Sequence, residues 1–101
     1  MLPTFKPGVR KQLIVHLKFY STLRRTVGKE SLKVRLRRGA TIRVVLNRLI
    51  VSYGDELKRR LVQRGNWVIM LNDKNIKFMN DLETPLNDGD RIAILSPLSG
   101  G

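Results

Sequence analysis

A chain of 101 residues is long enough to enclose one hydrophobic core and too short for two, so a single domain is expected. With 42% hydrophobic and 28% charged residues it can bury that core and stay in solution, which argues against disorder of the whole chain. It has no cysteine, which excludes a disulfide framework, a thiolate nucleophile and any all-cysteine zinc or iron-sulfur site.

The formal net charge of +12 is unevenly placed. Residues 1–50 carry 13 Lys and Arg against Glu30 alone, whereas residues 51–101 balance seven against seven. A one-signed surface speeds association with the opposite sign, so an acidic protein or a nucleic acid such as tRNA is the partner this half suggests, set against the plainer reading of a solvated basic face. The longest uninterrupted apolar run, Trp67 to Leu71, falls far below the roughly 20 residues that span a bilayer. His16 and Lys18 break the apolar stretch that follows the basic N-terminus, which spoils a secretory signal. No membrane association and a cytoplasmic location are therefore expected.

Residues 1–10 hold Pro3, Pro7 and Gly8 with no periodicity and read as a flexible basic arm; residues 11–96 read as the folded domain. Leu13, Val15, Leu17 and Phe19 alternate with Ile14, His16, Lys18 and Tyr20, the pattern of a first strand. Ser21 to Lys29, with Leu23 and Val27 four apart and Gly28 behind them, suits a helical turn closed by glycine. Leu32, Val34 and Leu36 then alternate with Lys33, Arg35 and Arg37, so a half-buried second strand sets three cations on its open side.

After Gly39, Thr41 can cap a helix whose apolar residues Ile42, Val45, Leu46, Leu49, Ile50 and Tyr53 keep helical spacing up to Gly54. Asp55 and Glu56 open a second short helical segment, with Leu57 and Leu61 four apart and Lys58, Arg59 and Arg60 following, a charge order that suits the helix dipole. Gly65-Asn66 stops it. Trp67 to Leu71 reads as a third strand, Asn72 to Asn75 as a turn and Ile76 to Met79 as a weaker strand. The turn Leu86-Asn87-Asp88-Gly89-Asp90 launches a last strand, Arg91 to Leu95. One long helix covering a small mixed sheet of four to five strands is the economical packing of these elements: an α+β fold of the β-grasp type.

This order of elements, the Leu86-x-Asp88-Gly89-Asp90-x-Ile92 turn and the ending Ser96-Pro97-Leu98-Ser99-Gly100-Gly101 together resemble the MoaD/ThiS family of ubiquitin-like sulfur carriers, over roughly Leu13 to Gly101. Phe19 through Gly28 is similar to the MoaD segment in which a strand runs into a leucine-containing turn and a Val-Gly pair, which places the likeness nearer MoaD, the small subunit of molybdopterin synthase, than ThiS. The basic arm and basic strand are features that the resemblance does not account for.

The resemblance implies that an E1-like enzyme of the MoeB/ThiF type adenylates the Gly101 carboxylate with ATP and that sulfur from a persulfide turns it into a thiocarboxylate. The sulfur would go to a molybdopterin precursor, for molybdenum cofactor synthesis with a MoaE-like synthase large subunit, or to a tRNA base. On this reading residues 97–101 form an extended, flexible tail. Gly100 and Gly101 have no Cβ and can pass a channel closed to side chains. Pro97 has no amide hydrogen and a fixed φ, which ends the last strand and holds the tail extended. Leu98 is an apolar anchor for a partner's groove, and Ser99 continues the partner-binding segment.

Nothing in the chain supplies catalytic machinery of its own. No P-loop, metal-ligand cluster or dinucleotide fingerprint is present, so a non-enzymatic carrier without bound cofactor or metal is expected, with ATP used by the activating enzyme. His16 falls on an open strand face, Asp88 and Asp90 belong to a turn, and Trp67, Met70 and Met79 read as core or interface residues. Two other functions share features of this sequence. One is a ubiquitin-like modifier joined to target lysines through Gly101. The other is an RNA-binding β-grasp module using Lys18, Lys33, Arg35 and Arg37, although Tyr20 is the only aromatic residue placed to stack on that face.

Overall fold

In the computed structural model the described residues are 12–64 and 67–95. The arm 1–10 and the tail 97–101, with Pro97, Leu98, Ser99, Gly100 and Gly101, lie outside them, as does the Gly65-Asn66 stop.

Strand β1 runs Gln12–Phe19, and its alternation is complete: Leu13, Val15, Leu17 and Phe19 are buried while Gln12, Ile14, His16 and Lys18 are exposed. A short helix, α1 (Ser21–Val27), buries Leu23 and Val27 and ends at Gly28, whose φ of 81° lets its N–H return to the Arg24 carbonyl at 2.9 Å. The chain reverses into β2 (Ser31–Arg37), antiparallel to β1 in the register Gln12↔Arg37, Ile14↔Arg35, His16↔Lys33.

Helix α2, Ile42–Arg64, lies over the inner face of the sheet with Ile42, Val45, Leu49 and Leu57 buried and Leu46, Tyr53 and Leu61 partly so. Its continuity is broken at Gly54, where φ 80° and ψ −160° are not helical. The two helical segments read from the sequence are therefore present, meeting at the expected glycine. The first backbone donor of α2, Ile42 N–H, is satisfied by the Thr84 carbonyl at 3.1 Å, and Thr41 forms an isolated bridge with Pro85.

Strand β3 is Val68–Leu71, and β4 is only Lys74–Asn75. Between them Asn72 and Asp73 turn the chain with φ of 49° and 72°. The expected strand at Ile76–Met79 is not formed. Ile76–Phe78 is a 3-10 turn, with Lys77 N–H donating to Asn75 Oδ1 at 2.9 Å. Strand alternation would put Ile76 and Phe78 on one face, yet Ile76 is 2% and Phe78 83% exposed. A second 3-10 turn, Asp81–Glu83, leads to buried Thr84, whose hydroxyl donates to the Asp81 carbonyl.

Strand β5, Arg91–Leu95, enters the middle of the sheet, parallel to β1 and antiparallel to β3. The order β2-β1-β5-β3-β4, crossed on one side by α2, is the mixed five-stranded sheet of a β-grasp. Its core joins Phe19, Leu17, Leu36, Ile92 and Ile94 from the sheet to Ile42, Leu49 and Leu57 from the helix.

The Gly54 conformation lies where essentially only glycine is found. A Cβ added there would meet nothing within 4 Å, so its cost is confined to the backbone. Gly54→Ala is expected to lower stability by about 1–3 kcal/mol, read as a lower urea midpoint at unchanged m-value; an unshifted midpoint would mean that the helix break is not required.

Candidate functional site

The segment that carries the sequence-predicted chemistry is covalently launched by β5, so the site is built by whatever fixes that strand. The turn before it does so through side chains. Gly89, at φ 87°, sends its N–H to the Ile14 carbonyl at 2.8 Å, and Asp88 Oδ1 accepts from Ile14 N–H at 2.8 Å. His16 N–H donates to the Asp90 carbonyl at 2.8 Å, which starts the parallel pairing with β1.

Asp90 itself is 8% exposed, and both of its carboxylate oxygens are engaged. Oδ1 accepts from Asn72 Nδ2 at 2.9 Å and Oδ2 from Asn87 N–H at 2.7 Å. Asn72 closes the link, its Oδ1 accepting from Arg91 N–H at 2.9 Å. One carboxylate and one carboxamide thus join the start of β5 to the β3–β4 turn. The sequence marks the turn, but it gives no sign of the Asn72 partner 18 positions away.

At its far end β5 reaches Leu95, paired with Val68, and Tyr20 N–H donates to the Ile94 carbonyl at 3.3 Å. The sheet face turned away from α2 has two characters. Around β5 and β3 it shows half-buried Met70, Ala93, Leu95 and Val68. Toward β2 it is basic: Lys18, Lys33, Arg35 and Arg37 are all exposed on it, as predicted.

His16 and Arg91 join that basic group. The register aligns Lys33, His16 and Arg91 in one row across three strands. Arg91 is an addition to the residues expected on this face, and its parity with Ala93 and Leu95 is the signal for it in the sequence. A depression of about 250 Å³ lies beside this row, its lining including His16, Lys18, Tyr20, Ser31 and Arg91 together with the one acidic residue, Asp73. The Lys18 ammonium sits 5.5 Å from the Tyr20 ring centroid. Among the described residues no group of His, Asp and Glu has the arrangement to hold a metal ion, and no helix is long and apolar enough to cross a membrane.

Comparison with known proteins adds the family. The model described as the ThiS family matches residues 17–101, from within β1 to the final glycine. The chain belongs to the ThiS family. This ThiS-family chain is 31% identical over 91 residues to small archaeal modifier protein 3 of Haloferax volcanii, a match covering 86% of the chain and 98% of that relative.

Among solved structures it is similar to small archaeal modifier protein 1 of Methanosarcina acetivorans, with TM-score 0.75 and 31% identity over 89% of this chain and 98% of that one. It is also similar to a chain of the Amycolatopsis orientalis BexX/CysO complex, with TM-score 0.67 and 26% identity over 86% of this chain and 99% of the other. The resemblance to MoaD/ThiS proteins and the ubiquitin-like β-grasp fold are thereby established.

Asp90→Ala removes the acceptor for two donors, and Asp90→Asn keeps one acceptor but sets an amide against the other donor. Both are expected to lose about 1–3 kcal/mol. Hydrogen exchange should then quicken first in β5. Uniform loss of protection across the sheet would show that the carboxylate does not act locally on the launch of this strand.

Proposed function

We propose that the chain is a carrier protein whose Gly101 carboxylate is activated by an E1-like adenylating enzyme and converted to a thiocarboxylate. The observation that supports this most directly is the place of β5. It is held between β1 and β3 in the middle of the sheet, and Gly101 lies only six positions beyond Leu95. A fixed body with a short glycine-ended extension suits delivery of a carboxylate into another protein's site.

The carboxylate oxygen attacks the α-phosphorus of ATP and pyrophosphate leaves, giving an acyl-adenylate. A persulfide sulfur then displaces AMP at the acyl carbon, and a second thiol cleaves the resulting sulfur-sulfur bond to release the thiocarboxylate. ATP, persulfide and thiol are all supplied by partners. The acceptor is a molybdopterin precursor, reached with a MoaE-like large subunit, or a tRNA base. A CysO-containing complex among the similar structures supports the expectation that such a body works bound to a second protein.

The second reading, a modifier joined by an isopeptide bond from Gly101 to a target lysine, is favoured by the relatives named small archaeal modifier proteins. It shares the adenylate and differs in the nucleophile that follows.

Incubated with its cognate E1-like enzyme, ATP and a sulfur donor, the intact chain should gain the mass of one sulfur replacing one oxygen at Gly101. Deletion of Gly100-Gly101 should abolish the gain while leaving the fold intact by circular dichroism. A covalent ladder on cellular lysines with no sulfur exchange would select the modifier; neither product, with the activating enzyme shown to be competent, would sink both.

A further inference from the structure

The open sheet face carries more positive charge than folding explains. Cations on an edge strand discourage strand-to-strand association, which would account for Lys33, Arg35 and Arg37 on β2. It does not account for His16 and Lys18 on β1 or Arg91 on β5, because both strands are interior. The row Lys33–His16–Arg91 sets a cation on either side of the His16 imidazole. Among the described residues, Lys18, Lys33, Arg35 and Arg37 form no ion pair, and Arg91 meets Asp73 only at 3.5 Å.

We propose that this strip binds single-stranded RNA. Lys33, Arg35 and Arg37 are two residues apart on an extended strand, which separates them by about 6.8 Å along it and suits the successive phosphates of an extended nucleotide chain. Arg guanidinium groups take phosphate oxygens in a forked geometry that a point charge cannot match. Tyr20, with Lys18 against its ring, offers a stacking surface at one end of the strip. The His16 imidazole and Ser31 hydroxyl, in the depression beside the cations, are groups able to meet a ribose 2′-hydroxyl.

An acidic protein fits less well. Protein interfaces centre on apolar or aromatic anchors with few charges, and here Met70, Ala93, Leu95 and Val68 gather toward β3, on the other side of the face from Arg35 and Arg37, which leaves Ile14, opposite Arg35, as the single exposed apolar side chain among the described residues of the basic strands. A phosphodiester backbone needs no such anchor. The strip is independent of the tail chemistry and would serve a carrier or a modifier alike.

The test is fluorescence anisotropy of labelled oligouridylate titrated with the full chain at several salt concentrations. Four to five neutralised phosphates predict a slope of about −3 in log K against log salt. Arg35→Glu with Arg37→Glu should weaken binding at least tenfold, and the milder Arg35→Gln with Arg37→Gln should make the slope shallower by about 1.4. Tyr20→Leu should lower affinity severalfold without changing the slope. Lys58→Glu with Lys77→Glu, exposed positions outside the sheet face, should cost much less than the Arg35/Arg37 reversal.

Equal losses in the two reversed pairs would mean attraction to net charge alone and overturn the assignment. So would oligodeoxyuridylate binding as tightly as its RNA counterpart, or polyglutamate displacing the RNA at equal charge concentration. Sulfur exchange at Gly101 in the Arg35→Gln/Arg37→Gln chain, measured in parallel, separates failure of this surface from failure of the carrier reading.

Discussion

The parallel pairing of β1 with β5 is the contact on which the rest of the molecule depends. It joins His16 to Arg91, almost the two ends of the described chain, and closing so long a loop carries an entropic cost that local propensity cannot offset. The Asp88-Gly89-Asp90 turn meets that cost with several polar contacts made together. Backbone and side-chain groups of all three residues engage β1 or the β3–β4 turn before β5 begins. With the strand's start fixed, Ile92 and Ile94 are committed to the core, and Leu95 is the last described residue of β5.

Elements that bury one face fully were legible in the sequence, because period two and period 3.6 report that burial directly. Leu13 to Phe19, Leu32 to Leu36 and Ile42 to Leu49 fold as their patterns say. Gly54 was legible for a related reason, since the apolar stripe pauses at a residue suited to break it. Ile76–Met79 forms no strand because four residues with Lys77 as their one polar position are too few to carry a period, and Asn75, read only as turn chemistry, provides the side-chain acceptor that makes it a 3-10 turn. Lys74–Asn75 was hidden inside the same polar run, a two-residue strand having no periodicity to show.

The site divides along similar lines. The parity of Lys18, Lys33, Arg35 and Arg37 placed them on one face without knowledge of the register. Only the register shows that Arg91 and His16 complete a row with Lys33, because that depends on which strand pairs with which. Asn72 could not have been paired with Asp90 from the chain alone. Both residues have a sufficient local explanation as turn formers, and local sufficiency conceals a long-range contact.

The family and the charge pattern concern different parts of one surface. From the Arg91 row to Leu95 is about 13 Å along β5, and Arg37 lies a similar distance from that row in the opposite direction, at the far end of β2. Six further residues extend at most about 20 Å from Leu95. On the carrier reading, a protein that receives the tail would meet the apolar part of the face first, where Leu95, Val68, Met70 and Ala93 lie. Arg35 and Arg37 lie farther off, on the edge strand. On the proposed readings, Arg35 and Arg37 would hold a polyanion away from the origin of the tail, whereas Lys18, paired with Ala93, and Tyr20, bonded to the Ile94 carbonyl, would hold it beside that origin, so the two partners adjoin at the Leu95 end of the face.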